Sequence, residues 1–232
     1  MNKKKIIIAT IKSWNIENAG IFKKKYQDKY DIYIFTKKNE LSINILNEIK
    51  PDYIFFPHWS WLIPKEIHLT YNCIVFHMTD LPYGRGGSPL QNLIYRNQER
   101  TKISAIKVVE ELDAGNIYIK EDFFIGIGSA EEIFIKISQI IYTKMIPYII
   151  ENNPIPIPQK GDVVYFKRRK PDGSNIFLEN FNNLNEIYNF IRMLDAENYP
   201  NAFIKHQRFR INFYNAKLRS DRIEGSFEIK YE

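Results

Sequence analysis

The sequence predicts an α/β protein with a mostly parallel sheet, followed by a small α+β subdomain. Short apolar runs alternate with helical segments over roughly the first 150 residues, and the connections between them are short. This alternation is typical of a parallel sheet with helices on both faces. Three prolines in residues 154–158 then end the helical pattern, because proline lacks an N–H donor and has a fixed φ. We therefore predict one domain over residues 1–157 and a subdomain over residues 158–232.

Each element is predicted from its hydrophobic period and its flanking residues. The early strands are residues 6–10, 31–36, 53–56 and 73–76, with helices between them that end at residue 26 and span residues 41–49. Later elements are a helix at 88–95, strands at 102–109 and 116–124, a long helix from 129 to 150 and a helix at 184–194 before short closing strands. Ser129 and Glu132 have the spacing of a capping box at the start of the long helix.

Composition limits the classes of protein to consider. Apolar residues make up 44% of the 232 residues, which is enough for a sizeable core. The single cysteine, Cys73, excludes an internal disulfide framework, and its place in an apolar strand indicates packing. The apolar run near the N-terminus is too short to span a membrane, so we expect a cytoplasmic protein with no membrane partner. The net charge of +6 is spread along the chain apart from three short runs, so we expect no nucleic-acid partner.

The stretch that ends the fourth predicted strand carries the candidate chemistry. His77 follows the apolar run and precedes a Gly-rich turn that contains Arg85. Ligands in open α/β sheets bind outside the carboxyl ends of the strands, and an imidazole exchanges protons near neutral pH. From residue type alone, a buried structural histidine is an equal alternative. No Cys or His cluster has metal-ligand spacing, so no metal is expected.

Two motifs connect this stretch to a known family. The pattern H-x-[ST]-x-L-P-x-x-R-G-x-x-P, from His77 to Pro89, resembles the folate-dependent formyltransferases, and residues 112–115 are similar to their L-D-x-G signature. The resemblance implies a Rossmann-like formyltransferase domain, N10-formyltetrahydrofolate as co-substrate and a possible homodimer. It also implies that His77 contacts the developing oxyanion or transfers a proton, and that Asp113 orients His77 and helps to deprotonate the amine. Without the first motif, Asp113 would be interpreted as a turn residue.

The sequence departs from the family at one position. The asparagine that the family has two residues before the histidine is Val75 here, which cannot donate a hydrogen bond. Losing one oxyanion donor costs on the order of a hundredfold in rate, so we expect a replacement donor. We rank His58, at the end of the neighbouring strand, before Thr79 and Asn72.

The resemblance also implies binding residues, each with a structural alternative. The folate pocket is expected to include residues that are also interpretable as core aromatics or loop supports: Trp59, Trp61, Leu62, Arg85, Gly86 and Leu112. The acceptor substrate is expected to contact Thr79, Arg168, Arg169, Tyr199 and Phe203.

The region after residue 163 carries the elements that indicate an acceptor substrate. Its R-x-P-x-x-S, I-R-x-L and P-x-A-F elements resemble sugar N-formyltransferases. The resemblance implies transfer to the amino group of a nucleotide-linked amino sugar, such as a 4-amino-4,6-dideoxy sugar for a surface glycan. One alternative is a methionyl-tRNA formyltransferase, which fits the positive charge, although the region after Pro158 is short for its tRNA-binding domain. Another is a non-catalytic member that binds folate or a nucleotide sugar, as Val75 suggests.

Overall fold

The computed structural model describes residues 3–232. The strands are β1 Lys4–Ala9, β2 Tyr30–Phe35, β3 Tyr53–Phe56, β4 Cys73–His77, β5 Tyr83–Gly86, β6 Arg100–Lys107, β7 Ile117–Phe124, β8 Val164–Phe166, β9 Ala202–His206, β10 Phe209–Leu218 and β11 Ile223–Tyr231. The helices are α1 Ser13–Tyr26, α2 Ile43–Ile49, α3 Lys65–Thr70, α4 Pro89–Tyr95, α5 Ala130–Ile140, α6 Ile146–Asn152 and α7 Leu184–Arg192.

The central sheet has six strands in the order β2-β1-β3-β4-β6-β7. β1 pairs in parallel with β2 and β3, and β3 with β4, whereas β4 and β6 are antiparallel. The predicted α/β class with a mostly parallel sheet is therefore confirmed. β1 and β3 are almost continuously apolar because strands in the middle of such a sheet are covered on both faces.

Strand register places the ends of β3 and β4 side by side. Phe56 pairs with Val75 in the parallel ladder, so His58 and His77 each follow a paired position by two residues. The other edge of β4 pairs His77 with Ser104 of β6. The end of β4 therefore lies beside the end of β3 and the middle of β6, where the candidate site was predicted.

Cys73 begins β4 inside the core. It is a free cysteine, and its burial raises the pKa of the thiol to about 12. A thiol with this pKa is almost wholly protonated at neutral pH and a poor nucleophile. The predicted packing role is confirmed.

A long helical segment crosses residues 130–152 and includes a π-helical stretch, Ile141–Met145, between α5 and α6. Its predicted capping box is confirmed: the backbone N–H of Ser129 donates to Glu132 Oε2 at 2.9 Å, and that of Glu132 donates to Ser129 Oγ at 3.2 Å. The segment is long and apolar enough to cross a bilayer, but 56% of its apolar window is buried inside the protein, as in a core helix. Length and hydropathy alone are therefore weak grounds for a membrane span.

Two elements near the site were not predicted. α3 has six residues, too few to show a helical period, and only Ile67 and His68 of it are buried. β5 lies within the Gly-rich motif, which we interpreted as a turn, and it pairs with β8 in a two-stranded sheet. Its partner is about 80 residues away in the chain, so no local pattern indicates the pairing.

The chain divides into two compact units, neither of which is one continuous segment. The first comprises Met1–Arg85, Lys102–Asp122 and Ile135–Val164, and the second comprises Gly86–Thr101, Phe123–Phe134 and Tyr165–Glu232. Two short segments of residues 1–157 thus belong to the second unit. The division into independent domains at residue 157 stays a prediction.

The second unit contains an antiparallel sheet in the order β11-β10-β9, with α7 packed against β10. An apolar cavity of 380 Å³ lies within it. A small C-terminal region with helix and sheet was predicted and is confirmed.

Candidate active site

His77 is the last residue of β4, and its ring is buried and held on both sides. Nε2 lies 2.8 Å from the carbonyl oxygen of Gly84, and Nδ1 lies 3.5 Å from Oδ1 of Asp113. Both neighbours accept hydrogen bonds, and a neutral imidazole has a single N–H, so it can donate to only one of them at a time. A proton on either ring nitrogen therefore faces an acceptor.

Asp113 lies in the loop between β6 and β7, with φ of 55° in the left-handed region. Aspartate is one of the few non-glycine residues enriched in that conformation. Two residues later, Gly115 passes so close to β6 that a Cβ would overlap the carbonyl oxygen of Lys107. The loop thus brings Asp113 to His77 across 36 residues of sequence, as the two motifs predicted.

Arg85 is buried in β5 and supports the loop that carries Asp113. Its Nε and Nη2 donate to Oε1 of Gln159 at 3.1 and 2.8 Å, and its Nη1 donates to Oε1 of Glu111 at 3.0 Å. Gln159 Nε2 donates to the carbonyl oxygens of Asp113 and Gly115 at 2.7 and 2.9 Å. Of the two interpretations of Arg85, loop support matches these contacts, and a contact with folate stays a prediction.

Val75, the position of the family's asparagine, packs against an apolar cluster. The cluster consists of Leu81, Ile106 and Ile117. No side-chain donor exists at this position, so an oxyanion donor must come from another residue.

His58 is half-buried just beyond β3 and adopts φ of 60°. Its ring packs edge-on against Trp14, with 5.8 Å between the ring centroids. His58 follows β3, which pairs in parallel with the strand that ends at His77. Its role as the replacement donor stays a prediction.

The two lower-ranked candidates have other partners. Thr79 is fully buried, and its Oγ1 donates to the Gly84 carbonyl at 3.4 Å, the carbonyl that His77 also contacts. Asn72 precedes β4, and its Oδ1 accepts from the hydroxyl of Tyr118 at 2.7 Å. Asn72 is therefore at the opposite end of the strand from His77, as the sequence predicted.

The predicted folate-pocket residues after β3 form an aromatic group. The rings of Trp59 and Trp61 meet edge-on with centroids 4.7 Å apart, and Trp59 also contacts Phe56. Trp59 Nε1 is buried and has no hydrogen-bond partner among residues 3–232. Leu62 and Leu112 are 87% and 57% exposed, which leaves apolar surface open to solvent. Folate binding by these residues stays a prediction.

Arg169, predicted to contact the acceptor substrate, is held inside the second unit. Its guanidinium lies over the rings of Tyr95 and Phe190, at 5.6 and 5.3 Å, and Nη2 donates to the carbonyl of Gly173 at 2.7 Å. Burial lowers the pKa of this guanidinium. These contacts give Arg169 a structural role.

Tyr199 and Phe203 also have packing partners in the second unit. Tyr199 stacks on Phe134 with centroids 5.8 Å apart, and its hydroxyl is hydrogen-bonded to Gln91. Burial is the main cause of the raised pKa of Tyr199. Phe203 is buried in β9, and the guanidinium of Arg210 lies 3.7 Å from its ring centroid. Contact with a substrate by either residue stays a prediction.

Gly86 and Arg168 complete the predicted set. Gly86 ends β5, and a Cβ there would lie 2.5 Å from the carbonyl oxygen of Phe166 in β8. The glycine therefore permits the two strands to approach, whatever its relation to folate. Arg168 is exposed, and its contact with the acceptor substrate stays a prediction.

Two supporting residues were missed from the sequence. Gln159 follows the proline-rich segment, and Lys120 of β7 forms an ion pair with Asp80 and donates to the carbonyl of Leu81 at 2.6 Å. Both act on residues about 40 or more positions away in the chain, so no local pattern identifies them. Within residues 3–232, no group of three or more His, Cys, Asp or Glu side chains could hold a metal ion.

Comparison with known proteins identifies the family. Residues 171–230 match the family model for the methionyl-tRNA formyltransferase C-terminal domain. The structure of methionyl-tRNA formyltransferase from Clostridium thermocellum is 50% identical, with a TM-score of 0.96 and coverage of 99% of this chain and 100% of that one. The methionyl-tRNA formyltransferase of Campylobacter lari is 32% identical over 168 residues, or 70% of this chain and 54% of that protein. The chain spans about half the length of the curated relatives it matches.

These relatives overturn the predicted acceptor and partner. The prediction of a nucleotide-linked amino sugar, made for surface glycan synthesis, is wrong, and the expected absence of a nucleic-acid partner conflicts with the same relatives. A 4-N formyltransferase from Francisella tularensis is only 20% identical, with a TM-score of 0.67 and coverage of 88% of this chain and 93% of that one, and shows a common fold alone.

The structure explains the error. The R-x-P-x-x-S element contains Arg169, packed between two rings, and Ser174, which is buried and donates to the carbonyl of Pro200 at 3.4 Å. These residues build the second unit, so the element indicates a fold and not a substrate. With 50% identity over the whole of a solved relative, the chain belongs to the folate-dependent formyltransferase family.

Proposed function

We propose that the protein transfers the formyl group of N10-formyltetrahydrofolate to the α-amino group of methionyl-tRNA. The observation that carries this proposal is the match, over its whole length, to the methionyl-tRNA formyltransferase of C. thermocellum. N10-formyltetrahydrofolate is the formyl donor of the family. The reaction belongs to protein synthesis, so the proposal agrees with the cytoplasmic location expected from the sequence.

The chemistry needs a neutral amine, a stabilised oxyanion and a protonated leaving nitrogen. The amine attacks the formyl carbon, a C–N bond forms, and the oxygen becomes an oxyanion. The bond from the formyl carbon to N10 then breaks, and N10 takes a proton. His77, at the end of β4, supplies a donor to the oxyanion or carries the proton to N10.

Asp113 orients His77 through the contact with Nδ1 and accepts a proton from the attacking amine. An α-amino group has a pKa of about 7.7–8.0, so about a tenth of it is already neutral at pH 7. Asp113 therefore does not have to deprotonate every amine before attack; it accepts the proton that the nitrogen loses as the new C–N bond forms. The 3.5 Å contact is longer than an ordinary hydrogen bond, and catalytic contacts of this kind often shorten only when substrate binds.

The test is formation of formylmethionyl-tRNA from the purified protein, N10-formyltetrahydrofolate and methionyl-tRNA, detected by mass spectrometry after deacylation. We expect the wild-type protein to formylate the methionine and His77→Ala to be at least about a hundredfold slower, since general acid–base groups contribute about 10²–10⁴ in rate. Asp113→Asn should also be slow, because it keeps the shape but removes the charge.

His68→Ala is the matched control, since His68 is equally buried but lies on α3. It should keep turnover near the wild-type value. If the wild-type protein binds folate yet formylates no methionine, the proposal is wrong and the non-catalytic interpretation suggested by Val75 takes its place.

A further inference from the structure

We propose that Gln159 is a positioning residue that fixes Asp113 relative to His77. The inference rests on the function proposed above and adds to it a residue outside both family motifs. Gln159 lies in the segment after α6, and its side chain forms hydrogen bonds with both motif-bearing stretches.

The side-chain amide of Gln159 makes four hydrogen bonds. Nε2 donates to the carbonyl oxygens of Asp113, at 2.7 Å, and Gly115, at 2.9 Å. Oε1 accepts from Nη2 and Nε of Arg85, at 2.8 and 3.1 Å. All donors and acceptors of this amide are therefore used within the protein.

These bonds connect the two groups that hold the His77 ring. The carbonyl that His77 Nε2 contacts belongs to Gly84, which directly precedes Arg85 in β5. The carboxylate beside Nδ1 belongs to Asp113, whose backbone Gln159 binds. A single amide thus links the strand on one side of the ring to the loop on the other.

An amide is suited to this position for a chemical reason. The group must donate to two carbonyls and accept from a guanidinium, and a carboxylate cannot donate while an ammonium cannot accept. Arg85 is 8% exposed, and its other partner, Glu111, is mostly exposed. Gln159 therefore also supplies the sheltered acceptor that a buried guanidinium requires.

A spectroscopic experiment tests the geometry without relying on turnover. Ring ¹⁵N shifts of the four histidines are recorded at pH 7 in two-bond ¹H–¹⁵N spectra, with the His77 signals identified by their loss in His77→Asn. In Gln159→Met, which keeps length but removes every hydrogen bond, the His77 Nδ1 and Nε2 shifts should move in the same direction as in Asp113→Asn. Wild-type His77 shifts in Gln159→Met would overturn the inference, whether or not the protein formylates methionyl-tRNA.

Asn116→Ala is the matched control. The Asn116 amide joins the same two segments by donating to the carbonyl of Pro156, at 3.5 Å, without contact to Asp113. It should leave the His77 shifts at their wild-type values. Gln159→Glu, which is isosteric and keeps the acceptor for Arg85, should move the shifts as Gln159→Met does and covers the case in which Gln159→Met does not fold.

Kinetics give a second test. Gln159→Met should lower kcat for methionyl-tRNA formylation about tenfold with little change in either KM, because misplacement of a reacting group acts on the chemical step. In the Asp113→Asn background the same substitution should change kcat less than about twofold, since its effect acts through Asp113. An equal loss in both backgrounds would mean that Gln159 acts independently of Asp113 and would overturn the inference. Failure of the proposed function is distinct, because then the wild-type protein itself would be inactive.

Discussion

At the residue scale, two candidate residues share an uncommon backbone conformation. His58 and Asp113 have φ of 60° and 55°, in the left-handed region that few non-glycine residues adopt. Such conformations cost of order 1–3 kcal/mol and cluster at functional sites. Each residue lies in a loop after a strand of the central sheet, and seven other non-glycine residues in the described part of the chain also have a positive φ.

We rank His58 first for the donor that Val75 cannot supply, because it follows the strand that pairs in parallel with that of His77. We expect His58→Ala to lower the single-turnover rate constant for formylation of methionyl-tRNA about a hundredfold or more, since one oxyanion donor contributes about that much. Thr79→Val should lower kcat less than about threefold, because the Thr79 hydroxyl already donates to the Gly84 carbonyl. Normal turnover in His58→Ala with a large loss in Thr79→Val would reverse this ranking.

Sequence motifs identified the reacting pair but not its support. His77 and Asp113 were predicted because each lies in a short pattern that resembles the family. Gln159 has no such pattern, since its contacts depend on where a long connection returns to the sheet. A residue that acts on backbone atoms 46 and 44 positions away is recognised only from coordinates.

At the element scale, the loop between β6 and β7 is held by a close backbone contact. Gly115 lies against the carbonyl of Lys107 at the end of β6, with no room for a Cβ. We expect Gly115→Ala to lower the free energy of unfolding by about 1–3 kcal/mol, as overpacking does, and to lower kcat by displacing Asp113. Urea denaturation and the formylation assay measure the two effects.

Gly20 provides the control for this substitution. It is exposed in α1, and a Cβ there would meet nothing within 4 Å. Gly20→Ala should raise the free energy of unfolding by about 0.5–1 kcal/mol, because alanine favours helix. Wild-type kcat in Gly115→Ala would show that the loop can move without moving Asp113.

Prediction of elements succeeded where the pattern is local. β1, β3 and β4 are apolar runs with polar flanks, and the long helix has a capping box at its start. β5 was missed because its pairing with β8 is set by chain segments far apart in sequence. Elements with a local sequence pattern are therefore predicted more reliably than elements that form only by pairing with a distant segment.

At the scale of the whole molecule, the net charge of +6 gains a meaning from the proposed substrate. A protein that neutralises RNA phosphates releases counterions, so its affinity falls steeply with salt. Between about 50 and 200 mM KCl, we expect the KM for methionyl-tRNA to rise about tenfold or more. The KM for the formyl donor should change much less, which separates RNA contact from a general effect of salt on the enzyme.

A flat salt dependence for both substrates would argue against phosphate contacts. It would also support the interpretation that the charge is spread along the chain and does not form a site for nucleic acid. The predicted homodimer is a separate question, which light scattering of the purified protein answers.

The substrate prediction was wrong because the sequence elements on which it rested consist of residues that pack inside the second unit. Ile191, Arg192 and Leu194 of the I-R-x-L element are buried, as are Ala202 and Phe203 of the P-x-A-F turn. Buried side chains set a fold that enzymes with different acceptors have in common. Arg168, in contrast, is exposed and has no such packing role.

The acceptor beside Nε2 of His77 is a main-chain carbonyl, that of Gly84. Every amino acid at position 84 would keep this main-chain carbonyl. Substitutions there would therefore show steric effects and never the loss of the acceptor itself. Removing its hydrogen-bonding strength requires a change to the polypeptide backbone, such as an ester in place of the amide that follows Gly84. The contact between His77 Nε2 and this carbonyl therefore cannot be removed by mutagenesis and requires chemical synthesis of the protein.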